Sequence, residues 1–281
     1  MNEEKIGQQI SLLESNFINE YATLELLNGQ YILQMSNCKF REIQGDYNDG
    51  NHEFVAIVIH GWKSRNYNRI RETFQDAFSS ANIDTYYYTL PHHMGRQESS
   101  SFYSGELMIS ANVERTLYSV YQALVEINAL INSLSELYPN SKICLIGISL
   151  GGLLANLCVT KNKNIHKLIS ICPVNNLSYE VWNSKAFLEI KSELQQHNIT
   201  YEQLNKHWDV INPCNYIPVI ATENILLINS LYDLFVPIED ANDLLLAWSN
   251  PKRILYKSGH SALELKKKTI RNDVMNFLTF V

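Results

Sequence analysis

Ser149, Asp233 and His260 are the residue types, in the chain order, that turn a hydroxyl into a nucleophile. A serine hydroxyl attacks poorly at neutral pH. An imidazole must take its proton, and a carboxylate must hold that imidazole in one tautomer and stabilise the imidazolium that forms. Ser149 sits in GISLGG (147–152), Asp233 ends NSLYD (229–233) and His260 ends SGH (258–260). Glycine and serine are common in turns, so a GxSxG string carries little weight alone. Strand, motif, helix is the context that gives it meaning. Bulk at Gly147 or Gly151 is expected to collide with the adjacent helix and strand.

The same chemistry needs donors for the oxyanion of a tetrahedral intermediate. The main-chain N–H of Leu150, just after the serine, supplies one. Trp62, in the HGW segment (60–62) that turns off a strand, is expected to supply the other. His60 is read as a brace for that loop. Asp240 and Glu239 are the fallback acids, but both fall inside the helix that follows Asp233.

Elements able to bring these residues together are written in the hydrophobic pattern. EFVAIVIHGW (53–62) is a continuous β-branched run, as in a parallel strand buried on both faces. A helix is expected at about 67–80, a strand at 85–90 and a long amphipathic helix at about 112–138, stopped by Pro139-Asn140. KICLIGI (142–148), HKLISICPV (166–174), NILLINS (224–230) and KRILYKS (252–258) read as further strands. LLANLCVT, PIEDANDLLLAW and a segment from about 261 read as helices. Towards the N-terminus, residues 10–27 carry apolar positions at helical spacing with Gly29 as a stop, and YILQM and CKFREI alternate as two antiparallel edge strands. Strands alternating with helices predict one α/β domain over 1–281, a mostly parallel sheet covered on both faces. Ligands of such sheets sit outside the carboxyl ends of the strands. All four chemistry-bearing segments fall there.

Residues 175–223 are too long for a plain connection. They read as a helical insert anchored by Trp182, Phe187, Leu188 and Trp208, a lid over an apolar acyl pocket. PHHMGRQESSSFYSGE follows the strand TYYYTL, so His92, His93 and Arg96 are candidates for a cationic rim that binds an anionic substrate group. The alternative is that they order their own loop through Glu106 or backbone carbonyls. Adjacent histidines diverge in an extended segment, which argues against a metal.

Composition narrows the class. The 281 residues are 46% hydrophobic and 19% charged with a net charge of −6, ordinary for a globular enzyme. KKK at 266–268 is the densest basic cluster, too short to follow a phosphate backbone, so nucleic acid is not an expected partner. Cys38, Cys144, Cys158, Cys172 and Cys214 lack CxxC spacing and stand in mostly apolar surroundings. They are expected to be reduced, buried thiols, with no zinc site and no cofactor. MNEEKIGQQI has neither the basic start nor the apolar stretch of a signal peptide, and no apolar run approaches membrane-spanning length. A cytoplasmic protein acting on a small-molecule ester or lipid is the expectation, with peripheral membrane contact compatible with it.

Over roughly residues 50–281 the chain resembles the α/β-hydrolase superfamily. YTLPHHMGR (88–96), YSGEL (103–107) and GISLGG resemble, more narrowly, the family α/β-hydrolase domain containing 18, most strongly from Phe54 to Leu157. The resemblance implies serine-hydrolase chemistry on lipid or other acyl esters. It implies Ser149, Asp233 and His260 as the triad and Trp62 and Leu150 as the oxyanion hole. The expected reaction is cleavage of carboxylic esters or thioesters through an acyl-enzyme. An acyltransferase shares the first half-reaction, and a catalytically silent binding protein shares the fold.

Overall fold

The computed structural model describes residues 22–27, 30–35, 38–48, 52–261 and 266–279. Among the described residues, nine strands form one sheet in the order β1-β2-β3-β5-β4-β6-β7-β8-β9. β1 (Ala22–Leu27), β2 (Gln30–Met35) and β3 (Cys38–Asp46) run antiparallel at one edge. β3 joins β5 (Asp84–Tyr88) antiparallel. From β5 onward the sheet is parallel, through β4 (Phe54–Ile59), β6 (Lys142–Ile148), β7 (Ile165–Ile171), β8 (Ile225–Ser230) and β9 (Lys252–Tyr256).

The β4 run FVAIVI is buried throughout, and its alternation divides the core. Val55, Ile57 and Ile59 point to one face, against α2 (Val113–Leu137), α3 (Leu150–Val159) and the helical insert. Phe54, Ala56 and Val58 point to the other, beneath α1 (Asn68–Ser80) and α8 (Lys267–Thr279). Each large aliphatic side chain so buried contributes about 1.5–3 kcal/mol relative to exposure. A strand with one polar face could not serve here.

The N-terminal expectation is corrected in part. Residues 22–27 form β1, not the end of a helix, and pair with β2 from Ala22↔Met35 to Leu27↔Gln30. Residues 10–21 lie outside the described residues, as do 262–265 of the C-terminal segment.

Within 175–223 lie α4 (Leu177–Asn183), α5 (Leu188–Gln196) and α6 (Tyr201–Trp208). Asn176 caps α4 by accepting from the Tyr179 N–H, and Thr200 and Gln203 form a reciprocal capping box on α6. Phe187 and Trp208 are buried anchors, whereas Leu188 is 61% exposed and anchors nothing. α7 (Ile238–Ala247) follows β8, with Pro237 as its N-cap. Cys144, Cys158 and Cys172 are buried free thiols, and Cys214 is a half-buried one. No helix among the described residues is long and apolar enough to cross a membrane. The same residues contain no cluster of three or more His, Cys, Asp or Glu suited to a metal.

Candidate active site

Parallel strands end on one side of the sheet, and that geometry collects the site. Ser149 stands between β6 and α3 with φ 54° and ψ −116°, a conformation that a β-substituted residue holds only under constraint. The constraint is visible. The Ser149 N–H donates to Ile171 O of β7 (2.9 Å), and its carbonyl accepts from Gly152 and Val174 N–H (2.9 and 3.2 Å). A Cβ on Gly151 would lie 2.3 Å from Ile59 O, and one on Gly147 2.4 Å from Gly151 O. The turn can therefore approach β4 only with glycine at these places.

Asp233 and His260 come from neighbouring strand ends that are stitched together. Leu231 N–H donates to Tyr256 O (2.8 Å) and Tyr232 N–H to Ser258 O (2.9 Å), so the loops after β8 and β9 are joined by backbone bonds. His260 Nδ1 is 2.8 Å from Asp233 Oδ2, and His260 Nε2 is 3.1 Å from Ser149 Oγ. The other carboxylate oxygen, Oδ1, accepts from Phe235 and Val236 N–H at 2.9 Å each. The Asp233 side chain is 2% exposed and that of His260 23%. An acceptor-only carboxylate at Nδ1 requires the proton there, which leaves Nε2 as the acceptor facing the serine hydroxyl. Phe235 packs its ring edge-on to the imidazole.

Asp240, the fallback acid, lies elsewhere. It accepts from the N–H groups of Asn175 and Asn176 (2.8 Å each) and so fastens the start of the helical insert to α7. Glu239 belongs to the first turn of that helix. Burial raises the Asp240 carboxyl to about 6 against the opposing pull of those donors. The neighbouring Glu180 on α4 is pushed up to about 10, by burial first and then by the charge of Asp240, and is a neutral carboxylic acid at physiological pH.

His60 is fully buried. Leu90 N–H donates to its Nε2 (3.1 Å), and its Nδ1 donates to Gly61 O (2.8 Å). Burial lowers its pKa to about 3, so it is a neutral brace between β5 and the loop carrying Trp62. Trp62 and Leu150 line the same cavity as Ser149 and His260. Among the described residues, neither main-chain N–H enters a backbone–backbone bond of the turns and loops. The Trp62 indole stacks on Phe187 of the insert (4.8 Å between centroids) and donates to Gly105 O (2.7 Å).

The three candidates for a cationic rim turn inward. Arg96 makes two hydrogen bonds to Glu126 of α2 (2.7 and 2.9 Å) and one to Thr89 O (2.8 Å). Its side chain is 15% exposed and that of Glu126 1%. His93 is buried edge-on to His60, its Nδ1 2.8 Å from Pro91 O, and burial lowers its pKa to about 4. Gly105, at φ 86°, leaves room for that ring; a Cβ there would sit 2.1 Å from His93 Nε2. His92 is half-buried, its pKa lowered chiefly by burial, and its carbonyl accepts from Gly105 N–H (2.8 Å). PHHMGR and YSGE are thus one packed loop behind Trp62, and none of His92, His93 and Arg96 lines the cavities at Ser149. A buried guanidinium needs a buried carboxylate, and Glu126 rather than Glu106 supplies it.

Two cavities meet at Ser149 and His260. One of about 240 Å³ is walled mainly by apolar side chains, among them Ile109, Val174, Phe187 and Val236. The other, about 510 Å³, is bordered by the 61–70 segment and holds Lys63, Arg65 and Arg69. Sequence reasoning named Phe187 and an apolar pocket under the insert, but not Ile109, Val174, Val236 or the basic side chains of the larger cavity.

Residues 86–262 match the prolyl oligopeptidase family, well over half of the chain. The chain belongs to that family. It is 36% identical over 111 residues to the uncharacterized protein YdjC of Bacillus subtilis strain 168, a match covering 40% of this chain and 96% of that one. Among solved structures it is similar to an acetyl xylan esterase from Paenibacillus sp. R4, with a TM-score of 0.70 and 14% identity over 100% of this chain and 96% of the other. The acylaminoacyl peptidase of Pyrococcus horikoshii superposes with a TM-score of 0.60 and 15% identity; 92% of this chain is matched but only 41% of the peptidase. The fold is that of the α/β-hydrolases, and serine-hydrolase chemistry is supported at the level of class.

Proposed function

We propose that this protein is a serine esterase working through Ser149, His260 and Asp233. Ser149 Oγ attacks the ester carbonyl carbon as its proton passes to His260 Nε2. Asp233 holds the imidazole and stabilises the imidazolium. The N–H groups of Trp62 and Leu150 bind the oxyanion. Collapse of the intermediate breaks the bond to the alcohol, which leaves with the proton returned by His260. Water then repeats the sequence on the acyl-enzyme, releasing the carboxylic acid and restoring the serine. The observation that carries this reading is the Asp233–His260–Ser149 chain of short contacts ending at a serine held in a strained turn.

The acyl group occupies the apolar cavity of about 240 Å³, small against the roughly 300–1,000 Å³ of common ligand sites. It suits a short acyl chain. The narrower likeness carried by PHHMGR and YSGE points to lipid or other acyl esters. The insert acts as a lid, since Ala186 and Phe187 form part of the cavity wall.

Membership of the prolyl oligopeptidase family, with the likeness to an acylaminoacyl peptidase, favours a second reading, hydrolysis of an acylated peptide by the same residues. Matched pairs of p-nitrophenyl esters and p-nitroanilides with acyl groups from acetyl to octanoyl, and an N-acetyl dipeptide, separate the two. The esterase reading expects turnover of short-acyl esters and little of the anilides or the dipeptide; efficient release from the dipeptide overturns it. Assaying products with an added alcohol acceptor tests acyl transfer at the same time.

A further inference from the structure

We infer that the ester's alcohol carries a negative charge, a carboxylate or a phosphate, held in the cleft formed by Lys63 and Arg65; this rests on the esterase reading above. An ester has two ends, and two cavities of opposite character meet at Ser149 and His260. The smaller cavity is apolar and receives the acyl group. The larger is bordered by three basic side chains and, among the described residues, no acidic one. In a chain of net charge −6, a cleft at the reactive serine whose described charged side chains are basic concentrates anions against the background field.

Lys63 and Arg65 are positioned differently. Lys63 follows Trp62 with φ 62°, and its ammonium lies 4.2 Å from the Trp62 ring centroid and 4.7 Å from that of Tyr103. It lines both cavities, so it stands where the scissile bond divides them. Arg65 is exposed and lines only the larger cavity. Neither forms an ion pair with a described carboxylate. Arg65 offers the forked donors that carboxylate and phosphate oxygens accept. The anion-binding role for which Arg96 was a candidate therefore falls to the loop after β4.

The test uses butyrate esters of four small alcohols. Glycolate carries a carboxylate, ethylene glycol monophosphate a phosphate, 2-methoxyethanol no charge and choline a cation. Each kcat/KM is divided by the ester's own hydroxide-catalysed rate. The expected result is a preference of about tenfold for either anionic alcohol over the neutral one, the order of one solvent-touched charge-assisted contact. Choline butyrate is the poorest. The preference collapses at about 1 M salt, where the screening length is about 3 Å. Arg65→Glu removes or inverts the anionic-to-neutral ratio, and Arg65→Lys keeps most of it. The carboxylate and phosphate arms show which anion is favoured.

Fluorophosphonate labelling of Ser149 runs alongside. No labelling and no turnover of any ester overturns the esterase reading, and this inference with it. Labelling and turnover, with a ratio near one that Arg65→Glu leaves unchanged, overturns this inference alone. A preference for p-nitrophenyl hemisuccinate over p-nitrophenyl butyrate puts the charge on the acyl end and overturns the assignment of the two cavities.

Discussion

His260 Nε2 stands 3.1 Å from Ser149 Oγ although 111 residues separate them in the chain. The distance is produced by parallel strand order, since β6 and β9 both end on the same side of the sheet. The backbone bonds joining the loops after β8 and β9 then set Asp233 beside the imidazole.

Asp233→Asn puts an amide opposite His260 Nδ1 and permits the wrong tautomer. Turnover of p-nitrophenyl butyrate is expected to fall by about 10⁴-fold with the fold intact. Asp240→Ala should instead cost about 2–3 kcal/mol of stability, because two buried N–H groups at the start of the insert lose their acceptor. Denaturant titration with parallel kinetics measures both; the reverse pattern would move the acid to Asp240.

Arg96→Ala leaves the Glu126 carboxylate buried without its cation. A loss of about 3–5 kcal/mol in unfolding free energy is expected, with KM little changed in the folded fraction. A large rise in KM at undiminished stability would return Arg96 to the substrate.

Three side chains that the fold brings within hydrogen-bonding distance could be named from strand-end positions and chain order alone, because a buried parallel strand and a glycine-flanked turn leave local marks. The partner of Arg96 left none. Glu126 lies 30 residues on, in a helix whose pattern says only which face is inward. The cationic cleft was equally hidden, since Lys63 and Arg65 in WKSRN look like any solvated turn until Ser149 is placed beside them. Residues 22–27 were misread because ATLELL suits helix or strand, and only pairing with β2 decides between them.

Glu180 gives the fold a pH signature. Its carboxyl ordinarily ionises near 4.5 but near 10 in the folded chain, raised by burial and by Asp240, Asp233 and Glu239. Between those values the unfolded chain binds fewer protons than the native one, so this contribution to stability falls as pH rises. It is fully present below about pH 4.5 and lost progressively towards pH 10. Glu180→Gln should raise the thermal midpoint over wild type at pH 8 by several degrees, with the difference shrinking towards pH 5. Parallel melting curves at both pH values would contradict this.

Ala186→Leu narrows the apolar cavity at its lid side. Hydrolysis of p-nitrophenyl hexanoate is expected to drop about tenfold more than that of the acetate, the scale of a few misfitting methylene groups. Equal losses on both esters would take the acyl chain out of this cavity.

The most direct measurement is intact-mass and peptide mapping after exposure to a fluorophosphonate, for wild type, Ser149→Ala and His260→Ala. The account predicts one covalent adduct, on Ser149, absent from Ser149→Ala and formed far more slowly in His260→Ala. Wild type left unlabelled, or Ser149→Ala hydrolysing p-nitrophenyl butyrate at the wild-type rate, would contradict it.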